Sequence, residues 1–155
     1  MTELQRLGTE QLEAVQQLDA RCFVGEPFAA GWWQKAAAMK GACGWVLFRE
    51  KQPVAYCLFS TVLDEAELLR IAVDPQQRGQ GLASRLLRAA QETLVQRGAS
   101  HLFLEVRASN RVAQSLYQRC GWHSSGRRKN YYPLGDGHED ALLFSWQASS
   151  GSELK

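Results

Sequence analysis

Two glycines and an arginine stand directly before a predicted helix in residues 74–87, DPQQRGQGLASRLL. The start of a helix presents backbone N–H groups without intrahelical partners at the positive end of the helix dipole, which suits a phosphate. Gly79 and Gly81 would let the backbone approach such a ligand closely, and Arg78 would add a charged donor. The stretch therefore predicts an anion site. The alternative interpretation is a β–α turn that requires glycine only for its backbone conformation.

A dinucleotide site is a second interpretation of these glycines, because a helix and a strand with the acidic Glu105 follow them. Three features count against it. Residues 74–78 separate the end of the preceding strand from the first glycine, Ser84 occupies the third glycine position, and 155 residues leave little room for a doubly wound sheet and a substrate domain. A Walker-type nucleotide loop is excluded, since no Gly-Lys-Ser/Thr follows.

Glu105 lies in the predicted strand HLFLEV among apolar neighbours. Side chains alternate along a strand, so His101, Phe103 and Glu105 share one face and the apolar residues between them share the other. Such a carboxylate is either functional or paired. A functional carboxylate could act as a general base, an effect worth about 10²–10⁴-fold, and a paired one would be the partner of Arg107 or Arg70 in a structural ion pair.

Tyr117 lies on a helix that we expect Ser109 to cap at its N-terminus. Residues three and four apart share a helix face, so Tyr117 lies in line with Asn110, Ala113 and Gln114. A phenol in this place could donate a proton as a general acid, and a ring packed in the core is the alternative.

The composition is that of a globular protein. The chain has 155 residues, of which 45% are hydrophobic and 22% charged, and its net charge of +2 is too balanced to indicate a DNA-binding or membrane-surface protein. No apolar run approaches the ~20 residues of a membrane span, and the start, MTELQRLGTEQLEA, has no signal-peptide pattern. Four cysteines and three histidines are scattered without metal-ligand spacing, which predicts no metal site and fits a reducing, cytoplasmic location. We expect one domain over residues 1–148 and a disordered polar tail over residues 149–155.

The elements that must position these residues follow the order β-α-α-β-β-β-α-β-α-β-β. Apolar runs bounded by turn residues predict strands over residues 4–7, 44–50, 54–63, 65–73, 100–106, 122–128 and 141–147. Helical periodicity predicts helices that begin after a Thr9 cap, span residues 28–40, run from Gly81 to Arg97, and run from Ser109 to Arg119 or Cys120. This order predicts an α/β fold with a mixed, mostly antiparallel central sheet flanked by helices and one right-handed crossover.

Several motifs recur in the order found in one family. RGQGLA fits a pyrophosphate loop of the form R/Q-x-x-G-x-G/A, with Arg78, Gly81 and Ala83 at the motif positions, and it follows a strand that ends LLRIAVDP. Together with LFLEVRASNRVAQSLYQRCGW and RRKNYYPLGDGHEDALL, it resembles the GCN5-related N-acetyltransferases (GNAT) over most of residues 63–143. Within that family the chain is most similar to enzymes that acetylate the N-terminal alanine of a small-subunit ribosomal protein. The resemblance implies the single-domain GNAT fold, acetyl-CoA as cosubstrate, and direct attack of a protein's N-terminal amine on the thioester.

The resemblance also implies a role for each candidate residue. Glu105 would be the general base and Tyr117 the general acid, and the N–H of Val73 would face the thioester oxygen. Tyr131 and Tyr132 would frame the first residue of the acceptor. The residues implied to hold acetyl-CoA are Ile71, Ala72, Val73, Arg78, Gly79, Gln80, Gly81, Leu82, Ala83, Ser84 and Asn110.

The acceptor side leaves alternatives open. Arg127, Arg128 and Lys129 are either a solvated strand edge or a surface for an acidic peptide or ribosomal RNA. The segment GEPFAAGWWQ departs from the family's acceptor loop, and its Trp32 and Trp33 either pack in the core or line the acceptor groove. A lysine side chain or a small amine is the alternative acceptor, and a catalytically silent acyl-CoA-binding module is the alternative from another functional class. We expect a cytoplasmic monomer with a protein partner and with no DNA or membrane partner.

Overall fold

The computed structural model describes residues 2–23 and 30–148. Its elements follow the predicted order and form one seven-stranded sheet with helices on both faces, which confirms the α/β fold. The strands are β1 (Thr2–Arg6), β2 (Ala42–Arg49), β3 (Gln52–Val62), β4 (Glu65–Val73), β5 (His101–Arg107), β6 (His123–Leu134) and β7 (Gly137–Gln147). The helices are α1 (Leu12–Cys22), α2 (Ala30–Ala38), α3 (Leu82–Gln96) and α4 (Arg111–Arg119). The predicted tail, residues 149–155, lies outside the described residues, as do residues 25–29 of the segment GEPFAAGWWQ.

The sheet has the strand order β1-β2-β3-β4-β5-β7-β6. The β4–β5 pair is parallel and every other neighbouring pair is antiparallel. Short turns join the antiparallel hairpins, and α3 connects the two parallel strands. At the β2–β3 turn, Glu50 and Lys51 have φ values of 52° and 68°. Positive φ at both central residues matches a two-residue hairpin loop to the twist of its strands.

The parallel strands β4 and β5 pair over only part of their length. Their register joins residues 65–67 of β4 to residues 101–103 of β5 and goes no further. Beyond it, β4 pairs with β3 alone and β5 with β7 alone. Residues 68–73 and residues 104–107 therefore border an opening within the sheet, which we call the split. Among the residues that the structure describes, each strand has an edge there without a strand partner.

A β-bulge lies in β4 where the split begins. Opposite β3, the register passes from the pair of Phe59 with Leu68 to the pair of Leu58 with Arg70, which leaves Leu69 unpaired. An extra residue in one strand reverses which side chains face which side of the sheet. Leu68 accordingly packs with the core under α3, whereas Ala72 packs with the core under α1 and α2.

Two hydrophobic cores hold the helices on the two faces of the sheet. The α3–α4 face contains Leu86 and Leu87, which are fully buried, together with the inward side chains of β5. The α1–α2 face contains Val15, Leu18 and Trp33. Because each buried leucine contributes about 1.5–3 kcal/mol, the apolar stripe of α3 holds the start of that helix against the sheet.

Two predicted helix caps are wrong. Asn110 rather than Ser109 caps α4, because the Asn110 Oδ1 accepts a hydrogen bond from the Ala113 N–H at 3.1 Å. Thr9 lies inside a short 3₁₀ turn that precedes α1, and Gly8 stands at the cap of that turn. Neither correction alters the order of elements, because side-chain hydrogen bonding at a helix end shifts the boundary by one residue.

No helix in the described ranges is long and apolar enough to cross a membrane. Within residues 2–23 and 30–148, no three His, Cys, Asp or Glu side chains are grouped so that they could hold a metal ion. The four cysteines are free thiols.

Candidate active site

The glycine loop, residues 78–81, connects the end of β4 to the start of α3. Gly79 and Gly81 have φ values of 81° and 74°, in the left-handed region that other residues rarely adopt. A Cβ atom on either glycine would meet no heavy atom within 4 Å, so both residues face open space. Asp74 fixes the approach to the loop, because its Oδ1 accepts a hydrogen bond from the Gln76 N–H at 2.9 Å. The backbone at the start of α3 is therefore accessible to an anion.

Main-chain groups near Val73 point into the split. The N–H of Asp74 donates to the carbonyl of Val54 in β3 at 2.8 Å. Because successive residues of a strand direct their main-chain groups to opposite sides, those of Val73 point away from β3. The Val73 carbonyl accepts from Arg78 Nε at 3.3 Å and from the Cys22 thiol at 3.4 Å. The N–H of Val73 is turned the same way, where a donor could meet the carbonyl of a ligand.

A buried ion pair attaches the end of α1 to β4 beyond the bulge. Asp19 is fully buried, and its Oδ1 lies 2.8 Å from Nη1 of Arg70. The Tyr56 hydroxyl donates to the same oxygen, and burial raises the pKa of Tyr56, so its hydroxyl stays protonated as a donor. The guanidinium carbon of Arg70 lies 3.9 Å from the centre of the Phe23 ring. These contacts hold the strand that borders the split against α1.

Glu105 lies on the part of β5 that borders the split, and its side chain points to the α1–α2 face. Its side chain is 19% exposed. The Tyr131 hydroxyl donates to Oε1 at 3.2 Å, and Arg128 Nε lies 2.6 Å from Oε2 in an ion pair whose N–H is not aligned as a hydrogen bond. The ion pairs considered from the sequence are wrong, because Arg107 pairs with Glu139 and Arg70 pairs with Asp19. The carboxylate is held instead by two residues of β6.

Glu67 is a second carboxylate on the α1–α2 face, and sequence reasoning missed it. It precedes the bulge in β4 and stands opposite Phe103 in the register with β5. Burial raises the pKa of Glu67, the charge of Glu105 raises it further, and Arg128 opposes the shift. Two neighbouring carboxylates beside the split would attract a cation such as the ammonium form of an amine. The signal for Glu67 was its alternation with Ala66 and Leu68 in EAELL.

Tyr117 lies in the core on the α3–α4 face, on the side of the sheet opposite to Glu105. It is 6% exposed, and its ring packs near Trp122 and Phe144 with centroids 6.0 and 5.9 Å away. Burial raises the pKa of Tyr117, and Tyr132 adds to the shift. The ring therefore packs in the core, and the phenol keeps its proton near neutral pH.

The start of α4 is tied to the end of β5. The Gln114 Nε2 donates to the carbonyls of Arg107 and Ala108 at 3.2 and 3.0 Å. The Asn110 Oδ1 is used in capping the helix, which leaves its amide nitrogen for a ligand. Tyr117 lies on the same helix, so the hydrogen bonds of Gln114 also fix the position of Tyr117 relative to β5.

The β6–β7 hairpin places its two tyrosines differently. Their rings meet edge to face, with centroids 5.0 Å apart. Tyr131 contacts Glu105, while the centre of the Tyr132 ring lies 4.6 Å from the Arg107 guanidinium carbon.

Trp33 is buried against Tyr56 in the core, which agrees with the packing alternative for this tryptophan.

A model of the acetyltransferase (GNAT) family matches residues 12–122. The [ribosomal protein bS18]-alanine N-acetyltransferase of Escherichia coli (strain K12) is 36% identical over 148 residues, which cover 94% of this chain and 97% of that protein. The protein of the same name from Salmonella typhimurium is 42% identical over 99 residues, which cover 64% of this chain and 67% of its own.

Solved structures give the same comparison in three dimensions. The crystal structure of the ribosomal-protein-S18-alanine N-acetyltransferase from Escherichia coli has a TM-score of 0.88 at 33% identity and covers 97% of both chains. Arabidopsis thaliana NAA60 in complex with acetyl-CoA has a TM-score of 0.80 at 17% identity, over 95% of this chain and 98% of its own, which shows the shared fold.

Proposed function

Because the chain belongs to the acetyltransferase (GNAT) family, we propose that it acetylates a protein N-terminus, the N-terminal alanine of ribosomal protein bS18. It is an acetyl-CoA-dependent N-acetyltransferase, and the acceptor is the part that we propose. The assignment of the acceptor rests on the position of Glu105, which lies beside the split between Tyr131 and Arg128 of the β6–β7 hairpin. We further propose that the protein works as a monomer and that it is cytoplasmic. Its four free thiols favour the cytoplasmic location.

We assign acetyl-CoA to the open loop and the free strand edge. The N–H groups of residues 78–84 would hold the pyrophosphate at the start of α3, where both glycines face open space. The edge of β4 would pair with the amides of the pantetheine arm, as an added strand pairs with a sheet. The side-chain N–H of Asn110 would donate a hydrogen bond to that arm. The main-chain groups that would serve are those of Ile71, Ala72, Val73, Arg78, Gly79, Gln80, Gly81, Leu82, Ala83 and Ser84.

We assign Glu105 to the removal of the proton from the acceptor amine. An α-amino group has a pKa of about 7.7–8.0, so most of it is protonated at neutral pH and cannot attack a carbonyl. A carboxylate beside the split can take that proton directly or through a water, and Glu67 adds negative charge that favours entry of the ammonium form. The neutral amine would then attack the thioester while the Val73 N–H faces the developing negative oxygen.

We assign Tyr117 to the return of a proton to the leaving thiolate. Glu105 and Tyr117 lie on opposite faces of the sheet. As the C–S bond of the tetrahedral intermediate breaks, the nitrogen would lose its second proton to water on the Glu105 side, while Tyr117 would protonate the sulfur on the other side and regain its proton from solvent. The raised pKa of Tyr117 keeps it protonated until the thiolate forms. Tyr131 and Tyr132 would frame the first residue of the acceptor next to Glu105.

The proposal is tested by measuring CoA release from acetyl-CoA with peptides that differ in their first residue, with lysine peptides whose N-terminus is blocked, and with polyamines. We expect turnover of peptides that begin with alanine. Turnover of polyamines or lysine side chains without any free N-terminus would contradict the acceptor. Absence of CoA release with every amine would instead favour the acyl-CoA-binding module.

The role of Glu105 is tested by the Glu105→Gln variant. We expect a loss of about 10²–10⁴-fold at neutral pH, with partial recovery at high pH, where the amine is already neutral. Glu65→Gln is the matched control, because Glu65 is a strand glutamate of β4 that is 55% exposed and pairs with His101 away from the split. An unchanged pH–rate profile in Glu105→Gln would remove Glu105 from the mechanism.

A further inference from the structure

The ladder between β6 and β7 is interrupted next to Glu105. After a first register shift between Ser124 and Gly126, the pairing runs from Gly126 to Arg128 and resumes at Tyr132, so that residues 129–131 of β6 stand opposite Asp140 alone. We call residues 129–131 the β6 bulge. Its central residue, Asn130, has a φ of 52° in the left-handed region, which asparagine tolerates better than most residues do.

Asp140 fixes this bulge with both carboxylate oxygens. Its Oδ1 accepts a hydrogen bond from the Asn130 N–H at 3.0 Å, and its Oδ2 lies 3.2 Å from Arg127 Nε. The carboxylate therefore satisfies the N–H that the bulge removes from the ladder and also pairs with the strand just before it.

The bulge explains how two residues of one strand reach the same carboxylate. In a regular strand, Arg128 and Tyr131 would point to opposite faces, because they are three residues apart. Here Arg128 Nε lies 2.6 Å from one oxygen of Glu105 and the Tyr131 hydroxyl lies 3.2 Å from the other. The β6 bulge, with Asn130 at positive φ, breaks the regular alternation between them, so both side chains reach Glu105 from one side of the sheet.

We propose that Asp140 and Asn130 are positioning residues for the acceptor. They hold the β6 bulge, and the bulge orients the Glu105 carboxylate, through Tyr131 and Arg128, toward the amine that enters the split. This inference rests on the proposed function, because it assigns the acceptor to the side of Glu105. Neither residue contacts the reacting atoms.

The first test uses the left-handed conformation of Asn130. Asn130→Val places a β-branched residue at positive φ and should lower kcat/KM for the acceptor peptide about tenfold or more, while KM for acetyl-CoA stays within about twofold. Asn130→Gly, which accepts positive φ, should keep most of the acceptor kcat/KM. Leu63→Val is the matched control, since Leu63 has a φ of 56° but is 97% exposed at the β3–β4 turn, away from the split.

The second test uses Asp140 and guards against a variant that fails to fold. Asp140→Asn keeps an Oδ1 acceptor for the Asn130 N–H, whereas Asp140→Ala removes it. We expect Asp140→Ala to raise the acceptor KM and Asp140→Asn to raise it less. The deficit of Asp140→Ala should shrink from pH 7 to about pH 9, because an amine with a pKa of about 7.7–8.0 no longer needs a well-oriented base there.

The results separate this inference from the proposed function. If the wild-type enzyme acetylates a lysine peptide rather than an N-terminus, the proposed acceptor is wrong. The kcat/KM values of the variants are then compared with that of the wild-type enzyme using the lysine peptide as acceptor. If Asn130→Val behaves as Leu63→Val does, with a lower melting temperature and an unchanged acceptor kcat/KM, the β6 bulge is structural only. A deficit that is the same at both pH values, or an equal change in KM for acetyl-CoA, would also overturn the inference.

Discussion

Replacing Arg70 by leucine should lower the free energy of unfolding by about 3–5 kcal/mol, because the variant leaves the charge of Asp19 buried without this cation. The Asp19 side chain is fully buried and that of Arg70 is 17% exposed, so solvent screens the pair weakly. In a chain of this size, about 1 kcal/mol shifts the midpoint of thermal unfolding by ~2–4 °C, so we expect a decrease of about 6–20 °C.

Two further variants rank the parts of this network. Tyr56→Phe removes one hydrogen bond to a charged acceptor and should cost about 1.5–3 kcal/mol. Arg21→Leu is the matched control, because Arg21 forms an ion pair with Asp74 at 3.1 Å while its side chain is 49% exposed. Exposed pairs of this kind contribute no more than about 1 kcal/mol.

Urea unfolding followed by circular dichroism measures these differences, with the dependence on urea concentration as a check that unfolding stays two-state. Asp19→Leu, Arg70→Leu and the double variant form a cycle that isolates the pair. We expect the double variant to be less destabilised than the sum of the two single variants by more than about 1 kcal/mol. Additive losses, or an Arg70→Leu variant as stable as Arg21→Leu, would refute the assignment of this energy to the buried pair.

Two other predictions concern the bound cofactor and the proton donor. Gly81→Ala should destabilise the fold by about 1–2 kcal/mol, because alanine is strained at a φ of 74°, and its methyl group should also raise KM for acetyl-CoA. Gly98→Ala, at a φ of 107° beyond the other end of α3, should lose similar stability without a change in KM, and equal KM values for the two variants would contradict the cofactor placement. Tyr117→Phe should slow acetyl transfer at neutral pH. Burial raises the pKa of Tyr117, so the phenol should keep its proton and the wild-type rate should stay constant above pH 10, near the usual tyrosine pKa of about 10. If the wild-type rate declines at that pH and the rate of Tyr117→Phe does not, this reasoning is contradicted.

Much of the fold could be predicted from local patterns. The order of strands and helices follows from apolar periodicity and turn residues, and the face that Glu105 shares with Phe103 follows from alternation along β5. The candidate site was predictable where short motifs carry it, as in the glycine loop before α3.

The parts that failed depend on contacts between distant residues. The bulge at Leu69 adds one residue to β4 without changing its composition, so the reversal of faces beyond it could not be predicted from alternation alone. Alternation puts Glu67 on the polar face of β4, but its closeness to Glu105 depends on the pairing of β4 with β5, which no local pattern specifies. The partner of Glu105 is Arg128, which the order β5-β7-β6 brings beside it from a distant part of the chain, although Arg107 stands much nearer in the sequence. The predicted cap of α4 was Ser109 and the observed cap is Asn110, because the side chains of both residues can accept the same kind of hydrogen bond.

In the proposed arrangement, the split between β4 and β5 gives the two substrates separate entrances. Because Tyr117 lies on the α3–α4 side and Glu105 on the α1–α2 side, acetyl-CoA and the protein acceptor would reach the split from opposite faces of the sheet. A large folded acceptor would then need to insert only its first residue. A single inhibitor that occupies both entrances would need a thin, unbranched middle portion, because it must be threaded between two strands of one sheet.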